Sequence, residues 1–318
     1  MENNSNNLNQ ANTPVQNNIA DDEIDLRELF TAIWQGKWII VIITALFASA
    51  SVYYAVNLPN IYKSEALLAP AEQDKAGGLA GQLGGLASLG GVNLGANGNV
   101  DKTQLAIEIL RSRKFSREFI NKYDILPDLM AAKTWNSETN TVLYDEKFYD
   151  VEQNKWVREV KAPYKPEPSM QEAYKKFIKI ISANKNEETG MVTLSVEHVS
   201  PVVAQQWVNW LIDDINQTMK ARDVIEANKS TDFLTQQLEQ TKIADIRAVL
   251  YKLVEEQAKT IMFANVRDEY VFKTIDPALV SEEKFKPKRA LICILGALLG
   301  CFLGVTIVLI RLYIPKSK

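Results

Sequence analysis

The 318-residue chain holds one histidine and two cysteines, and that scarcity removes several chemistries at once. A structural zinc site gathers four Cys or His ligands at short spacings, whereas His198 stands alone. It lies beside Val199 and Pro201 on an expected strand, and we read it as structural. Both cysteines, Cys293 and Cys301, fall inside one apolar run. The polar bulk of the chain therefore has no disulfide framework and tolerates an oxidising compartment. No G-x-S-x-G elbow, H-E-x-x-H helix or Gly-x4-Gly-Lys-Ser/Thr loop occurs. The Gly- and Leu-rich stretch from Ala76 to Gly98 lacks both the lysine and the G-x-G-x-x-G spelling, so it reads as a loop, or as a segment ordered by packing on a neighbour. A basic excess is missing too. Thirty-six Lys and Arg against 39 Asp and Glu give a net charge of −3, which is not the footprint of a nucleic-acid binder. No cofactor or metal is expected.

Adjacent acids occur at Asp213-Asp214, Glu187-Glu188, Glu255-Glu256 and Asp268-Glu269. On a helix, neighbouring residues point about 100° apart, so these pairs read as solvated faces rather than acid/base dyads. No catalytic residue is expected.

What the chain does have is two long uncharged runs near its ends. Trp38 to Val56 reads WIIVIITALFASASVYYAV, and Ala290 to Ile310 reads ALICILGALLGCFLGVTIVLI. Each is about 20 residues, enough for a helix to cross the hydrocarbon core. The first run starts late and follows an acidic, Asn-rich leader, so it reads as an uncleaved anchor rather than a signal peptide. The charges flanking the runs leave orientation open. In the second run, Gly296, Gly300 and Gly304 repeat as small-xxx-small on one helix face, a packing surface either between the two spans or between subunits. Ala45 and Ser49, and Thr44 and Ala48, have the same spacing in the first.

The remaining organisation follows from pattern. Residues 1–21 are Asn-rich and expected to be disordered. Residues 22–37 place Leu26, Leu29, Phe30 and Ile33 on one face of a juxtamembrane amphipathic helix. Spans are expected over 38–56 and 289–311, with a large domain over 57–288 and a tail over 312–318. Ile61 to Pro70 predicts a strand. Gln171 to Ile181 predicts a helix with Tyr174, Phe177, Ile178 and Ile181 on one face, and Val192 to His198 a half-buried strand. Ser200-Pro201 is a cap followed by Pro at the first helical position. It opens a long helix of about 40 residues, roughly 60 Å. The stripe breaks near Thr241 and resumes, predicting a helical hairpin over 201–265. Tyr270 to Ile275 predicts a returning strand. The base of the domain is then 57–200 with 266–288, and the fold class is α+β.

Several blocks resemble the O-antigen chain-length determinants of the Wzz family, the smaller class of bacterial polysaccharide co-polymerases. They are IDLRELFTAIWQGKW (Ile24 to Trp38), IYKSEALLAP (Ile61 to Pro70), the Leu/Gly stretch, and VRDEYVFKTIDPALVSEEKFKPKRALI (Val266 to Ile292). The spellings Asp276-Pro277-Ala278 and Pro287-Lys288-Arg289-Ala290, running into a Gly-bearing membrane helix, resemble the family's end signature. The resemblance implies an inner-membrane homo-oligomer, an octameric ring, with a periplasmic loop and cytoplasmic termini. It implies a non-catalytic role in setting how many repeat units the O-antigen polymerase adds, with the lipid-linked growing polysaccharide as a further partner. Larger relatives carry a cytoplasmic tyrosine kinase. Here the sequence stops at Lys318, so that activity would have to come from a separate partner.

On that reading Asp276, Pro277, Pro287 and Arg289, with the Gly296/Gly300/Gly304 face, are candidates for coupling to the polymerase. Asn228, Lys229 and Asp232 are candidate length-modulating surface on the long helix. The nearest rival is a co-polymerase for capsule, exopolysaccharide or common-antigen synthesis. A sensory receptor would need an output module after the second span. A glycan-cleaving enzyme would need a pocket with convergent carboxylates, and an efflux adaptor would normally lack the second span.

Overall fold

The structure is a computed structural model that describes residues 31, 33–71 and 101–313. The expected leader, most of the 22–37 helix, the whole of the Gly/Leu stretch and the last five residues lie outside these. Chain order begins with helix α1 (Lys37–Asn57), strand β1 (Tyr62–Pro70) and helices α2 (Lys102–Leu110), α3 (Arg113–Tyr123) and α4 (Leu126–Met130). Four short strands follow: β2 (Ala132–Asn136), β3 (Thr141–Tyr144), β4 (Tyr149–Asp150) and β5 (Lys155–Trp156). Next come helix α5 (Met170–Ile180), strands β6 (Ile181–Lys185) and β7 (Val192–His198), and helices α6 (Pro201–Gln240) and α7 (Ala244–Val266). Strand β8 (Phe272–Asp276) and helix α8 (Arg289–Tyr313) complete the described chain.

These elements form two units. In the first, α1 packs on α8, and both are long and apolar enough to cross a membrane. Leu46, Leu298 and Phe302 stay exposed, as expected of side chains meant for lipid rather than a protein core.

The second unit, Leu58 to Lys288, is α+β. Its antiparallel sheet has the order β6-β7-β1-β8. Ala66 lies opposite Leu194, and Leu68 opposite both Val192 and Thr274. Alternation sends Leu68, Val192, Leu194, Val196 and Phe272 to one face, where all are fully buried. Phe119 of α3, Phe177 of α5, and Trp207, Leu211 and Ile215 of α6 cover that face. The phenylalanines stack obliquely, 5.5 Å between centroids. On α5 the buried residues are Ala173 and Phe177, while Ile178 is exposed. Of the expected stripe, Phe177 is buried and Tyr174 and Ile181 are half-buried, while Ile178 is exposed and Ala173 takes its place in the core.

The helices start where their caps dictate. Asp101, Ser112, Ser169 and Ser200 each accept a backbone N–H of the first turn, and Ser169 with Glu172 forms a full capping box. Pro201 occupies the first turn of α6, where no N–H is needed. The helix runs unbroken for 40 residues to Gln240. Its first half is clamped into the core through Ala204, Val208 and Met219; its second half packs on α7, where Ala227 and Ala264 are buried. Gly190 takes φ +71 in the β6–β7 turn, a left-handed backbone that favours glycine.

Two small hairpins, β2–β3 and β4–β5, were not foreseen as strands. Their inward faces are aromatic. Trp135 meets Tyr62 edge-on at 5.6 Å, and Tyr149 lies between Tyr144 and Trp156. Arg158 closes the loop beyond them. It pairs with Glu172 at 2.8 Å and donates to the carbonyls of Lys165 and Pro166.

Candidate functional site

The glycine face of α8 lies against α1. A Cβ built on Gly296 would come within 2.5 Å of the Ser51 Cβ. On Gly300 it would meet Phe47 Cβ at 2.7 Å and Thr44 Cα at 3.0 Å, and on Gly304 Ile40 Cα at 2.9 Å. Of the two arrangements the spacing allowed, this structure shows the contact between the spans. The facing residues of α1 are Ile40, Thr44, Phe47 and Ser51. Ala45 and Ser49 do not face α8's glycines; Ser49 is exposed and returns its hydroxyl to the carbonyl of Ala45. Gly36 adds a fourth close approach, to Val308. Arg289, the first residue of α8, donates from Nε to the carbonyl of Ala55 at 3.0 Å.

Asp276 and Pro277 belong to the other unit. Asp276 ends β8 opposite Leu67. The residues after it are sewn to β1 and α6: Ser64 donates to the Leu279 carbonyl at 2.7 Å, and Gln205 to the Ala278 carbonyl at 2.9 Å. Lys286 pairs with Glu197 at 2.6 Å and bridges to Ile61 just before Pro287, whose peptide bond is cis. Asn228, Lys229 and Asp232 are exposed on the second half of α6.

Sequence reading missed the polar ties that hold α6 to the base. Asn216 is buried. Its Oδ1 accepts the backbone N–H of Val271 at 2.8 Å and of Phe272 at 2.9 Å, and its Nδ2 donates to the Phe272 carbonyl at 3.1 Å. One helix turn pair onward, Asp223 takes Lys102 Nζ at 2.6 Å and the Tyr270 hydroxyl at 2.7 Å. Burial and that carboxylate both push the Tyr270 phenol upward. Asp214 corrects the expectation of a solvated acid pair: it is 8% exposed and accepts Lys122 at 2.6 Å and Tyr123 at 3.0 Å. The carboxylate holds Lys122 above its ordinary range. Burial, with Asp214 next to it, raises the Asp213 carboxyl. An Asn, Asp and Tyr spread over 56 positions carry no local signal of pairing, which is why these ties were invisible.

His198 is buried, with Nε2 3.1 Å from the Asp128 carbonyl and the Ser200 N–H donating to Nδ1 at 3.1 Å. One nitrogen must donate and the other accept, which makes the ring neutral. Burial lowers its pKa accordingly.

A cavity of about 500 Å³ between α3 and α6 is lined by Ile109, Phe115, Lys114, Glu118, Thr218 and Arg222, among others. Glu118 is its one acid; Asp214, in the adjoining recess, is already neutralised by Lys122. Among the described residues no group of three or more His, Cys, Asp or Glu could hold a metal.

Residues 22–123 match the family model Wzz, chain length determinant protein, and residues 235–313 match GNVR, a G-rich domain on putative tyrosine kinase. Comparison with curated proteins gave no match. Among solved structures, similarity extends to a full-length bacterial polysaccharide co-polymerase, at 15% identity over 92% of this chain and all of that one, TM-score 0.38. A fragment of WzzB, a polysaccharide co-polymerase from Salmonella Typhimurium, matches at 12% identity over 71% of this chain and all of the fragment, TM-score 0.26. The assignment rests on the sequence match over the first span and β1, not on these superpositions. Over residues 22–123, about a third of its length, the chain is similar to the Wzz family of chain length determinant proteins.

Proposed function

We propose that this protein is a non-catalytic regulator of O-antigen chain length, an oligomeric inner-membrane co-polymerase that works with the O-antigen polymerase. The observation that carries this reading is the chain length determinant match across residues 22–123, joined to two apolar helices that bracket one α+β unit bearing a long helical hairpin. The reading places the large unit in the periplasm and both termini in the cytoplasm. A ring of protomers, eight by the family resemblance, is supported by apolar side chains left uncovered on the hairpin: Phe233 of α6 and Ile246, Val249 and Met262 of α7. Such residues on one chain are ordinary buried contacts in an oligomer. The Asp276–Arg289 block and the α8 glycine face are the proposed route to the polymerase, and the lipid-linked glycan is a proposed partner.

A second reading has its own observation. The match at 235–313 is to a domain described on tyrosine kinases, which favours a co-polymerase for capsule or exopolysaccharide. Deleting the gene and sizing lipopolysaccharide and secreted polysaccharide in the same cells separates the two. The first reading predicts loss of the preferred O-antigen length with other glycans unchanged. Altered capsule beside an unchanged O-antigen ladder would move the function to the second.

A further inference from the structure

We propose that the groove between α3 and α6 is a binding site for a short run of neutral sugar units. This deepens the co-polymerase reading above and rests on it. Two helices build the groove. Phe115, Glu118 and Lys122 recur along one side of α3, and Asp214, Thr218 and Arg222 along one side of α6. The cavity of about 500 Å³ and the adjoining recess of about 230 Å³ share Phe115, Glu118 and Thr218. Together they extend from Ser112 to Lys122 along α3, roughly 15 Å at the helical rise. That space lies in the range of small-ligand sites and is long enough for more than one sugar ring.

The lining says which chemistry fits. Ile109, Phe115 and Ile225 give the groove an apolar wall, which suits the C–H face of a sugar ring. The polar groups beside it are not used by the fold. On α6 the hydroxyls of Thr231 and Thr235 bond back to the carbonyls four residues earlier, at 2.9 and 2.8 Å. Thr218, half-buried and lining both recesses, makes no such bond. Among the described residues neither it nor Gln217 nor Arg222 has a hydrogen-bond or ion-pair partner. The set mixes roles: Arg222 donates, the Glu118 carboxylate accepts, and Thr218 and Gln217 do both. Neighbouring sugar hydroxyls, each donor and acceptor at once, match such a mixture. Charge narrows the class. Lys122 is paired with Asp214 at 2.6 Å, while Glu118 meets Lys114 only at 3.9 Å. With Glu118 in the groove, a multiply charged anion meets a like charge and a neutral sugar does not.

The test uses the full chain in detergent and delipidated, length-fractionated O-polysaccharide from the same cells, with saturation-transfer NMR as the readout. Thr218→Val keeps the shape of the side chain and removes its hydroxyl. Gln217→Ala with Arg222→Met removes an amide and a charge from exposed positions. Thermal unfolding is measured beside each, to recognise a misfolded variant. The parent is expected to bind, and each variant to bind at least about fivefold more weakly with unchanged unfolding. Gln153→Ala, in the exposed turn between β4 and β5, is expected to bind like the parent. Equal affinity of the parent and both groove variants would overturn the site, and competition by inorganic pyrophosphate would overturn the neutral-sugar class. No binding by the parent would overturn the inference alone, since the deletion strain's glycan profile reads the co-polymerase role separately. Binding of secreted polysaccharide in place of O-polysaccharide, weakened in the same variants, would uphold the groove and move the function to the second reading. Gln217→Cys, combined with Cys293→Ser and Cys301→Ser, is expected to react with a maleimide in the intact assembly. Position 217 shielded in the assembly but reactive in separated protomers would put a second copy in the groove, and would also overturn the proposal.

Discussion

The side chain of Asn216 and the main chain of Phe272 exchange two hydrogen bonds, Phe272 N–H to Oδ1 at 2.9 Å and Nδ2 to the Phe272 carbonyl at 3.1 Å. A helix side chain thus takes the place of a neighbouring strand at the entry of β8. The hairpin that ends at Val266 is joined to the base through this contact as well as through the sheet.

Replacing Asn216 with Leu leaves the N–H groups of Val271 and Phe272 and the Phe272 carbonyl without these partners in a dry site. Each unsatisfied buried group costs about 1–3 kcal/mol. Asn216→Leu is expected to destabilise the protein by at least about 2 kcal/mol in thermal or denaturant unfolding, while Asn216→Asp, which keeps both acceptor contacts, costs less. Equal stability of Asn216→Leu and the parent would contradict the role.

Lys122→Met removes the cation that neutralises Asp214, whose carboxylate is largely buried. Breaking one side of a mostly buried pair is worth about 1–3 kcal/mol here, because Lys122 itself is half exposed. Combined with Asp214→Asn the loss is expected to shrink, and a double-mutant cycle reads the difference. Strict additivity would mean that the pair contributes nothing.

Stability is expected to depend on pH through His198. Its folded pKa lies below the ordinary 6.5 because burial disfavours the charged ring. The unfolded chain therefore binds the proton first, so the contribution is complete above about pH 6.5 and is lost as pH falls toward the folded value. Protonation at Nδ1 would also confront the Ser200 N–H at the start of α6. Glu172 acts lower down. Arg158 holds its carboxyl at about 2, from an ordinary 4.5, so its contribution is present above pH 4.5 and fades between 4.5 and 2. Unfolding free energy measured from pH 7.5 to 5 should fall in the parent and fall less in His198→Gln; parallel curves would contradict the assignment.

Gly300→Leu puts a branched side chain where Phe47 and the Thr44 backbone already stand. The helices must separate, since neither Phe47 Cβ at 2.7 Å nor Thr44 Cα at 3.0 Å can swing aside. We expect lower thermal stability of the detergent-solubilised protein and smaller assemblies on crosslinking. Unchanged oligomer size would confine the glycine face to packing within one chain.

Exchanging Asn228, Lys229 and Asp232 is expected to leave unfolding unchanged, because all three are exposed. If they form the length-modulating surface, the modal O-antigen length shifts. An unaltered distribution would make them ordinary solvated residues.

Much of the fold was legible because its signals are local. Ser200-Pro201 announced the start of α6, and the phase break at Thr241 its end. The strict alternation of Val192 to His198 announced β7. The glycine repeat announced a close helix contact, though not which helix it meets. Residues 124–168 were opaque, since strands of two to five residues carry too few alternations to rise above loop composition. The ties of Asn216 and Asp223 were opaque because pairing across 47 to 56 residues is a property of the packed core, not of any window.

The most direct measurement is the electrophoretic length distribution of O-antigen in a strain deleted for this gene, compared with the same strain carrying the parent or the Gly300→Leu chain. The account predicts a broad ladder biased to short chains on deletion, a restored preferred length with the parent, and incomplete restoration with Gly300→Leu. A ladder identical in all three strains would contradict it.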